Sequence, residues 1–494
     1  MVKDFPFLSL ILPAAWLRVA VLLPLLCGCP RPAEQVSPPE ASQTHQPPLR
    51  VLVVDDPGLA AAVERQWRAR AEGEIEVRPM STAELLDPRR KRLAADAVIY
   101  PAGLIGELAE RELIVPISDD VLGSPELARR DIFDLLRQAE MGWGERTYAV
   151  PFGSPQLTLL YRRDLFEKLG LQPPESWAKY CEAAARLSNR AALGDLAPAE
   201  PAAWHGTVEP WGPGWAGQVL LARAAGYARH RNYFSALFDA DTMEPLIAGP
   251  PFVRALEELV ASAPYCPPDA VTYGPAEARH TLLAGHCAMA LTWPSHAEAE
   301  AAGDVAKAAQ PVALAVAELP PSTQVYHPGE AQWLPRENGE TGYVPLLSVA
   351  GRLGSVTQGA AQTQVALKFL LRLCSSEWSE QISPFSPDTT VYRTSQIKQA
   401  RAWVDASIEP VVAEQYAELV KQTQRRRLWL FSVRIPGRAR YLAALDEAVQ
   451  QSLRGEKPAA ECLQAAAEQW RAITQEVGVE SQQRAYARSL GMLP

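Results

Sequence analysis

The chain has 494 residues, more than one hydrophobic core usually serves, so two lobes or domains with appendages are expected. Its 57 acidic and 48 basic residues are interspersed and leave a net charge of −9. No basic tail or stripe advertises a nucleic-acid partner, and that class of function is set aside.

At the N-terminus, Lys3 and Arg18 precede an apolar run from Val19 that ends in Leu26-Cys27-Gly28-Cys29-Pro30. A charged start, an apolar middle and small residues before a cleavage point read as an export signal. The alternative is an uncleaved helical anchor, but Arg18 splits the apolar stretch into pieces too short to span a bilayer comfortably. The same residues resemble a bacterial lipobox. That resemblance implies residues 1–29 as a lipoprotein signal, cleavage before Cys29 and lipid attachment to its thiol. The mature chain would then be anchored in the bacterial cell envelope, facing the periplasm or the outside. Residues 30–49 are rich in Pro, Gln, Ser and Glu, bury little apolar surface and read as a tether.

Val51-Leu52-Val53-Val54 then reads as a strand, Asp55-Asp56-Pro57-Gly58 as a turn, and Leu59, Val63 and Trp67 as one face of a helix. Ile75–Val77 and Ala97–Tyr100 read as two further strands with helical material between them, the alternation of a parallel sheet with crossover helices. Ligands in such sheets sit beyond the carboxyl ends of the strands, here near Asp55, Asp56, Tyr100 and Pro101. Each of these is read either as a turn or cap residue or as a ligand contact. The stretch from Tyr148 to Gln156 breaks the pattern with two prolines and a glycine before a strand at 157–161, and marks a crossing or hinge. Asp164 is placed to cap a short helix ending at Gly170. Ser176 is placed to cap a helix carrying Trp177, Tyr180 or Cys181, Ala184 and Leu187 on one face. Near the end, Tyr441, Leu445, Val449 and Leu453 form one helical stripe, Gly455 stops it, and Leu463, Ala467, Trp470 and Ile473 form the next.

The segment YAVPFGSPQLTLLYRRDLFEKLGLQPPESWAKYCEAAARLS (148–188) resembles the signature stretch of family 1 extracellular solute-binding proteins, the receptors of ABC importers. The resemblance continues at 252–262, 282–294, 365–381 and 434–474, and is weak at 190–250 and 300–340. It implies an α/β, two-lobe periplasmic-binding-protein-like fold. Each lobe would be a mostly parallel sheet flanked by helices, the lobes joined by crossing strands near 151–157, 288–294 and 344–352, with helices at the C-terminus. It places 50–152 with 294–346 in lobe 1 and 153–293 with 347–494 in lobe 2. It further implies a monomer that binds a small solute, a carbohydrate first of all, hands it to membrane permease subunits, performs no catalysis and needs no cofactor.

A sugar cleft needs flat apolar faces and fixed hydrogen-bonding groups, and tryptophan supplies the first. Of 13 tryptophans, Trp204, Trp211, Trp215, Trp293 and Trp333 stand in Gly- or Pro-rich loops or after a strand, outside helical stripes. Each is weighed against a satellite cluster under a long loop. Trp293 is the first choice as ligand contact, because it follows a strand where the family resemblance implies a crossing and an aromatic; Trp215 is the second. Phe152, Ser154 and Gln156 occupy the first crossing, where the resemblance implies a polar or acidic contact; no carboxylate stands there, which argues against recognition by charge. Arg393, with Phe385 nearby, lies in a turn-rich stretch and is read either as a surface cation or as part of the second lobe's wall.

Other chemistry has weaker seats. Gly212-Pro213-Gly214-Trp215-Ala216-Gly217 spells a dinucleotide fingerprint, yet no strand precedes it and a tryptophan would crowd the pyrophosphate. The histidines lack metal-ligand spacing on one helical face, so no metal site is assigned. The five cysteines after the signal are far apart and read as buried small hydrophobes, with one disulfide left open. The other readings are a sensory or structural envelope lipoprotein on the same fold, and, ranked lower, a polysaccharide hydrolase, which needs two cleft carboxylates about 5–9 Å apart.

Overall fold

The computed structural model describes residues 47–493 apart from 71–72, 199–202, 297–311 and 338. The export signal, Cys29 and nearly all of the tether lie outside the described residues. Residues 47–494 form one compact unit. Among the described residues no helix is long and apolar enough to cross a membrane.

β1 (Leu49–Val54) is a buried β-branched strand. It turns into α1 (Pro57–Ala69) because Asp56 caps the helix, accepting the Leu59 N–H at 3.0 Å, with Pro57 at the first helical position. β2 (Ile75–Met80) and β3 (Ala97–Pro101) flank β1 in parallel. After α2 (Ile105–Glu110) the chain returns as β4 (Val150–Gly153) and leaves for the second lobe. There β5 (Thr158–Arg162) is followed by α3 (Trp177–Ser188), α4 (Ala216–Ala228) and α5 (Pro250–Ser262). β6 (Met289–Thr292) and β7 (Leu314–Ala317) come next, then the hairpin β8 (Gln324–His327) and β9 (Gln332–Pro335). The two-residue β10 (Leu346–Leu347) leads into β11 (Arg352–Val356) and α6 (Thr363–Leu373). The chain closes with α7 (Pro410–Thr423), β12 (Leu430–Phe431), α8 (Arg438–Leu453), α9 (Ala459–Val477) and α10 (Val479–Ser489).

The two larger sheets have the order β2-β1-β3-β11-β4 and β6-β5-β7, with the apolar interior running continuously through both. The first three strands are parallel as expected. β11 and β4 add an antiparallel pair, and the second sheet is antiparallel on both sides of β5, with a parallel edge at His205 and Val208.

Of the segments expected to cross, 151–157 and 344–352 pass between the sheets. The third, 288–294, does not: β6 pairs with one side of β5 and β7 with the other, so both belong to the second lobe. A second passage into that lobe follows residue 403, after which α7 packs on β7. The expected lobe boundaries therefore fail at two strands. β7, assigned to lobe 1 with 294–346, lies in the second sheet. β11, assigned to lobe 2 with 347–494, completes the first, with α6 packed on it, because its register sets Leu353 opposite Tyr100 and Ser355 opposite Val98.

Ser176 caps α3 and Gly170 ends the short helix before it, as read. Asp164 is not that helix's cap: it lies in the first turn and pairs with Arg162 at 2.6 Å. α10, which the apolar stripe ending at Ile473 did not include, packs on α9 and α2, and Arg488 pairs with Glu110 at 2.9 Å. The five cysteines are free thiols.

Candidate functional site

The carboxyl ends of the first sheet's parallel strands face the end of β6, and the residues meeting there build the junction of the lobes. Asp56 is buried. One carboxylate oxygen caps α1; the other accepts from Arg352 Nε at 2.9 Å and from the Ser386 hydroxyl. Arg352, at the start of β11, also donates to Asp388 at 2.7 Å. Burial opposes the Arg352 charge, and Asp388 and Asp56 more than offset it, holding the guanidinium's pKa above its ordinary value. The result is a closed Asp–Arg–Asp network.

On that network sits Trp293. Its indole N–H donates to the Pro387 carbonyl at 2.9 Å, so the end of β6 in the second lobe touches the 383–393 loop of the first. The residue's own backbone is fixed: Arg279 donates to its carbonyl at 2.7 Å and, at 3.3 Å, to the Thr292 hydroxyl. Trp215 lies beside it, ring centroids 5.8 Å apart and planes tilted by 51°, and is half-buried. Trp215 is held at the head of α4, where the Asp446 carboxylate accepts the N–H groups of Gly214 and Gly217, each at 2.7 Å. Asp446 thus occupies the anion position at this helix start, which disposes of the G-x-G-x-x-G reading. On the rim, the Arg65 guanidinium lies 4.5 Å from the Phe385 ring centroid.

The crossing strands form the second part. Ser154 donates to Glu140 at 2.9 Å, and the same Glu140 oxygen accepts the Ser348 N–H at 2.6 Å and the Ser348 hydroxyl at 3.0 Å. Glu140 therefore ties both crossings together. Its other carboxylate oxygen is buried without a partner. Burial raises its pKa above 4.5, against the bonds from Ser154 and Ser348 and the charge of Arg434. Ser348 holds a left-handed φ of 57° and Gly153 a φ of 116°. A Cβ at Gly153 would lie 2.4 Å from the Thr390 carbonyl oxygen, so only glycine fits the crossing. A carboxylate does reach the first crossing after all, from 14 residues upstream, and one of its oxygens is occupied by the protein's own serines.

Because a raised carboxyl pKa favours the protonated folded form, the stability Glu140 contributes is fully present below about 4.5 and falls as the pH rises through the folded value, by up to about 1.4 kcal/mol per pH unit. The isosteric Glu140→Gln should flatten that decline. Melting temperatures of both proteins across the acidic to neutral range check this; parallel curves would refute it.

The other residues expected to touch ligand fall elsewhere. Tyr100 is fully buried, its hydroxyl 2.9 Å from that of Ser355. Phe152 is fully buried against Gly354, where any side chain would strike its ring. Gln156 is buried and donates to the Ser154 carbonyl at 3.0 Å. Trp211 donates to Glu209 at 3.3 Å inside the second lobe, and Trp204 donates to the Leu187 carbonyl at 2.9 Å. Trp333 lies on the β8–β9 hairpin, edge-on to Tyr227 and Tyr326, with Arg254 5.1 Å from its ring. Arg393, read as a surface cation or cleft wall, is neither: it is fully buried and donates to the carbonyls of Cys374 and Leu127. The junction thus gathers Trp293, Trp215 and Asp56, with Ser154 at the hinge. Arg352, Asp388, Arg279 and Glu140 escaped the sequence reading. Arg352 and Asp56 are 296 positions apart, and no local periodicity links them.

Two α/β lobes on crossing strands, with an aromatic pair where they meet, define a cleft-type binding protein. The chain belongs to the bacterial extracellular solute-binding protein family, whose match spans residues 89–370, more than half of its length. Curated protein sequences provide no match. Among solved structures, an ABC transporter solute-binding protein from Agrobacterium radiobacter K84 in complex with ribitol is 19% identical. It covers 86% of this chain and 98% of its own, with a TM-score of 0.62. Maltose-bound T. maritima MalE3 is 16% identical, covering 86% of this chain and 100% of its own, TM-score 0.61. An ABC transporter solute-binding protein from Agrobacterium vitis S4 with bound D-mannitol is 16% identical, covering 87% and 99%, TM-score 0.60. At these identities the likeness is one of fold.

Proposed function

We propose that this chain is the substrate-binding component of an ABC-type importer, that it takes an uncharged, hydroxyl-rich solute between its lobes, and that it performs no chemistry on it. The observation carrying this reading is the Trp215–Trp293 pair beside charged groups already paired with one another. Flat apolar faces suit the C–H side of a sugar or polyol, while Asp56 and Asp388 are both engaged by Arg352 within the protein. The solutes in the related structures, ribitol, maltose and mannitol, belong to that class. Opening of the lobes breaks the Trp293–Pro387 bond and bares the indole. A solute touching both walls then favours closure, because only differential contact shifts such an equilibrium. The closed monomer hands its cargo to permease subunits. The lipobox resemblance at Cys29 supports anchoring in the cell envelope, facing the periplasm or the outside.

Thermal-shift and calorimetric screening of residues 47–494 against sugars, polyols, amino acids and polyamines tests the proposal. A polyol or sugar present at 100 times its Kd should stabilise the fold by about 2.7 kcal/mol. Trp215→Ala, at a half-buried position, should weaken that binding roughly tenfold or more while the unliganded melting temperature changes little. Stabilisation by amino acids or polyamines alone, or turnover of the bound compound, would overturn the reading.

A further inference from the structure

A second surface feature lies away from the cleft, just past α7. Arg425, Arg426, Arg427 and Leu428 line a groove with Arg231, Glu337 and Glu340. Arg426 is paired with Glu318 at 2.6 Å and Arg231 with Glu337. Arg425 is 60% exposed and only 3.9 Å from Asp134, the loosest pairing in the cluster. Arg427 is exposed and has no carboxylate within ion-pair distance among the described residues. Two guanidinium groups therefore face solvent on a chain whose net charge is −9.

Next to them the surface turns aromatic. Leu428 and Trp429 are partly buried, and Phe234 is 62% exposed, more than any other large apolar side chain among the described residues. The buried Arg229 donates to the Trp429 carbonyl at 3.1 Å and to the Tyr233 carbonyl, and its guanidinium lies 5.1 Å from the Phe234 ring centroid. One buried arginine thus ties the backbone just before Phe234 to the segment carrying Arg425 and Arg427.

An exposed aromatic near one arginine without a carboxylate partner, Arg427, and one held only loosely by Asp134, Arg425, is the chemistry of a bilayer interface, where rings settle at headgroup depth and guanidinium groups meet phosphates. We propose that this strip docks on the headgroups of an anionic phospholipid bilayer. The acidic remainder of the surface is repelled, so the strip sets which face of the protein rests on the membrane. The proposal does not depend on which solute the cleft binds.

The test is co-sedimentation of residues 47–494, a compact unit without the N-terminal apolar run, with vesicles of phosphatidylglycerol and phosphatidylcholine or of phosphatidylcholine alone. Binding should be confined to the anionic vesicles and should fall with added salt. Arg425→Gln with Arg427→Gln should weaken it on the order of twentyfold, and Phe234→Ala should weaken it further, each with an unchanged melting temperature because the side chains are exposed. No binding, equal binding to both vesicles, or a double variant that sediments like the parent would overturn the proposal.

Discussion

Arg223→Met should cost about 3–5 kcal/mol of stability, the largest single loss expected outside the cleft. Arg223 and Glu209 are both fully buried, and one guanidinium nitrogen donates to both carboxylate oxygens at 2.8 Å. Glu209 also accepts from Ser262 at 2.8 Å and from Trp211, while the guanidinium lies 3.7 Å from the Trp177 ring centroid. Removing the arginine alone leaves a carboxylate enclosed among aromatic rings with no counter-charge. The double variant Glu209→Gln with Arg223→Met removes both charges and keeps both contacts, the amide oxygen accepting from Trp211 and the amide N–H donating to the Ser262 hydroxyl, which itself donates to the Leu259 carbonyl. It should regain most of the loss, because desolvation of two ions offsets much of their attraction. Denaturant unfolding of the three proteins decides the matter: a single variant within about 1 kcal/mol of the parent would show that water reaches this pair.

Trp293→Ala should abolish solute binding and also lower the unliganded melting temperature, because the indole is buried as well as placed at the junction. Large-to-small changes of a buried tryptophan cost roughly 3–5 kcal/mol, and the Pro387 carbonyl loses its donor in addition. Trp293→Phe separates the two roles. It retains a flat apolar ring within the same space and removes the N–H bond between the lobes together with part of the indole's volume. Its stability should fall by about 1–3 kcal/mol, while affinity should drop far less than in the alanine variant. A folded alanine variant that binds as well as the parent would remove Trp293 from the site. Calorimetry and melting curves on the same preparations read both quantities.

These two residues also show where sequence reasoning stops. Trp293 follows a strand outside any helical stripe, and it lies at the lobe junction. It does not stand on a crossing strand, however: β6 pairs within the second sheet, and the indole reaches the other lobe through its own N–H. Arg223 carried no signal at all, since it lies in a helix buried on nearly every side and its partner is 14 residues away across a turn.

The local elements were written in the sequence because they depend on neighbours. The Asp56 cap, the parallel β1–β3 set, the Ser176 cap, the Gly170 and Gly455 stops and the α8–α9 pair all follow from spacing and caps within a few residues. Tertiary structure alone decided how the strands were dealt between the two sheets. A short apolar strand such as β7 or β11 satisfies either sheet equally well until its register meets a partner. The same holds for charge. Whether Asp56, Glu140 or Arg393 would meet a ligand or the protein itself was set by groups 14 to 330 positions distant, and burial leaves no polar atom indifferent to that outcome.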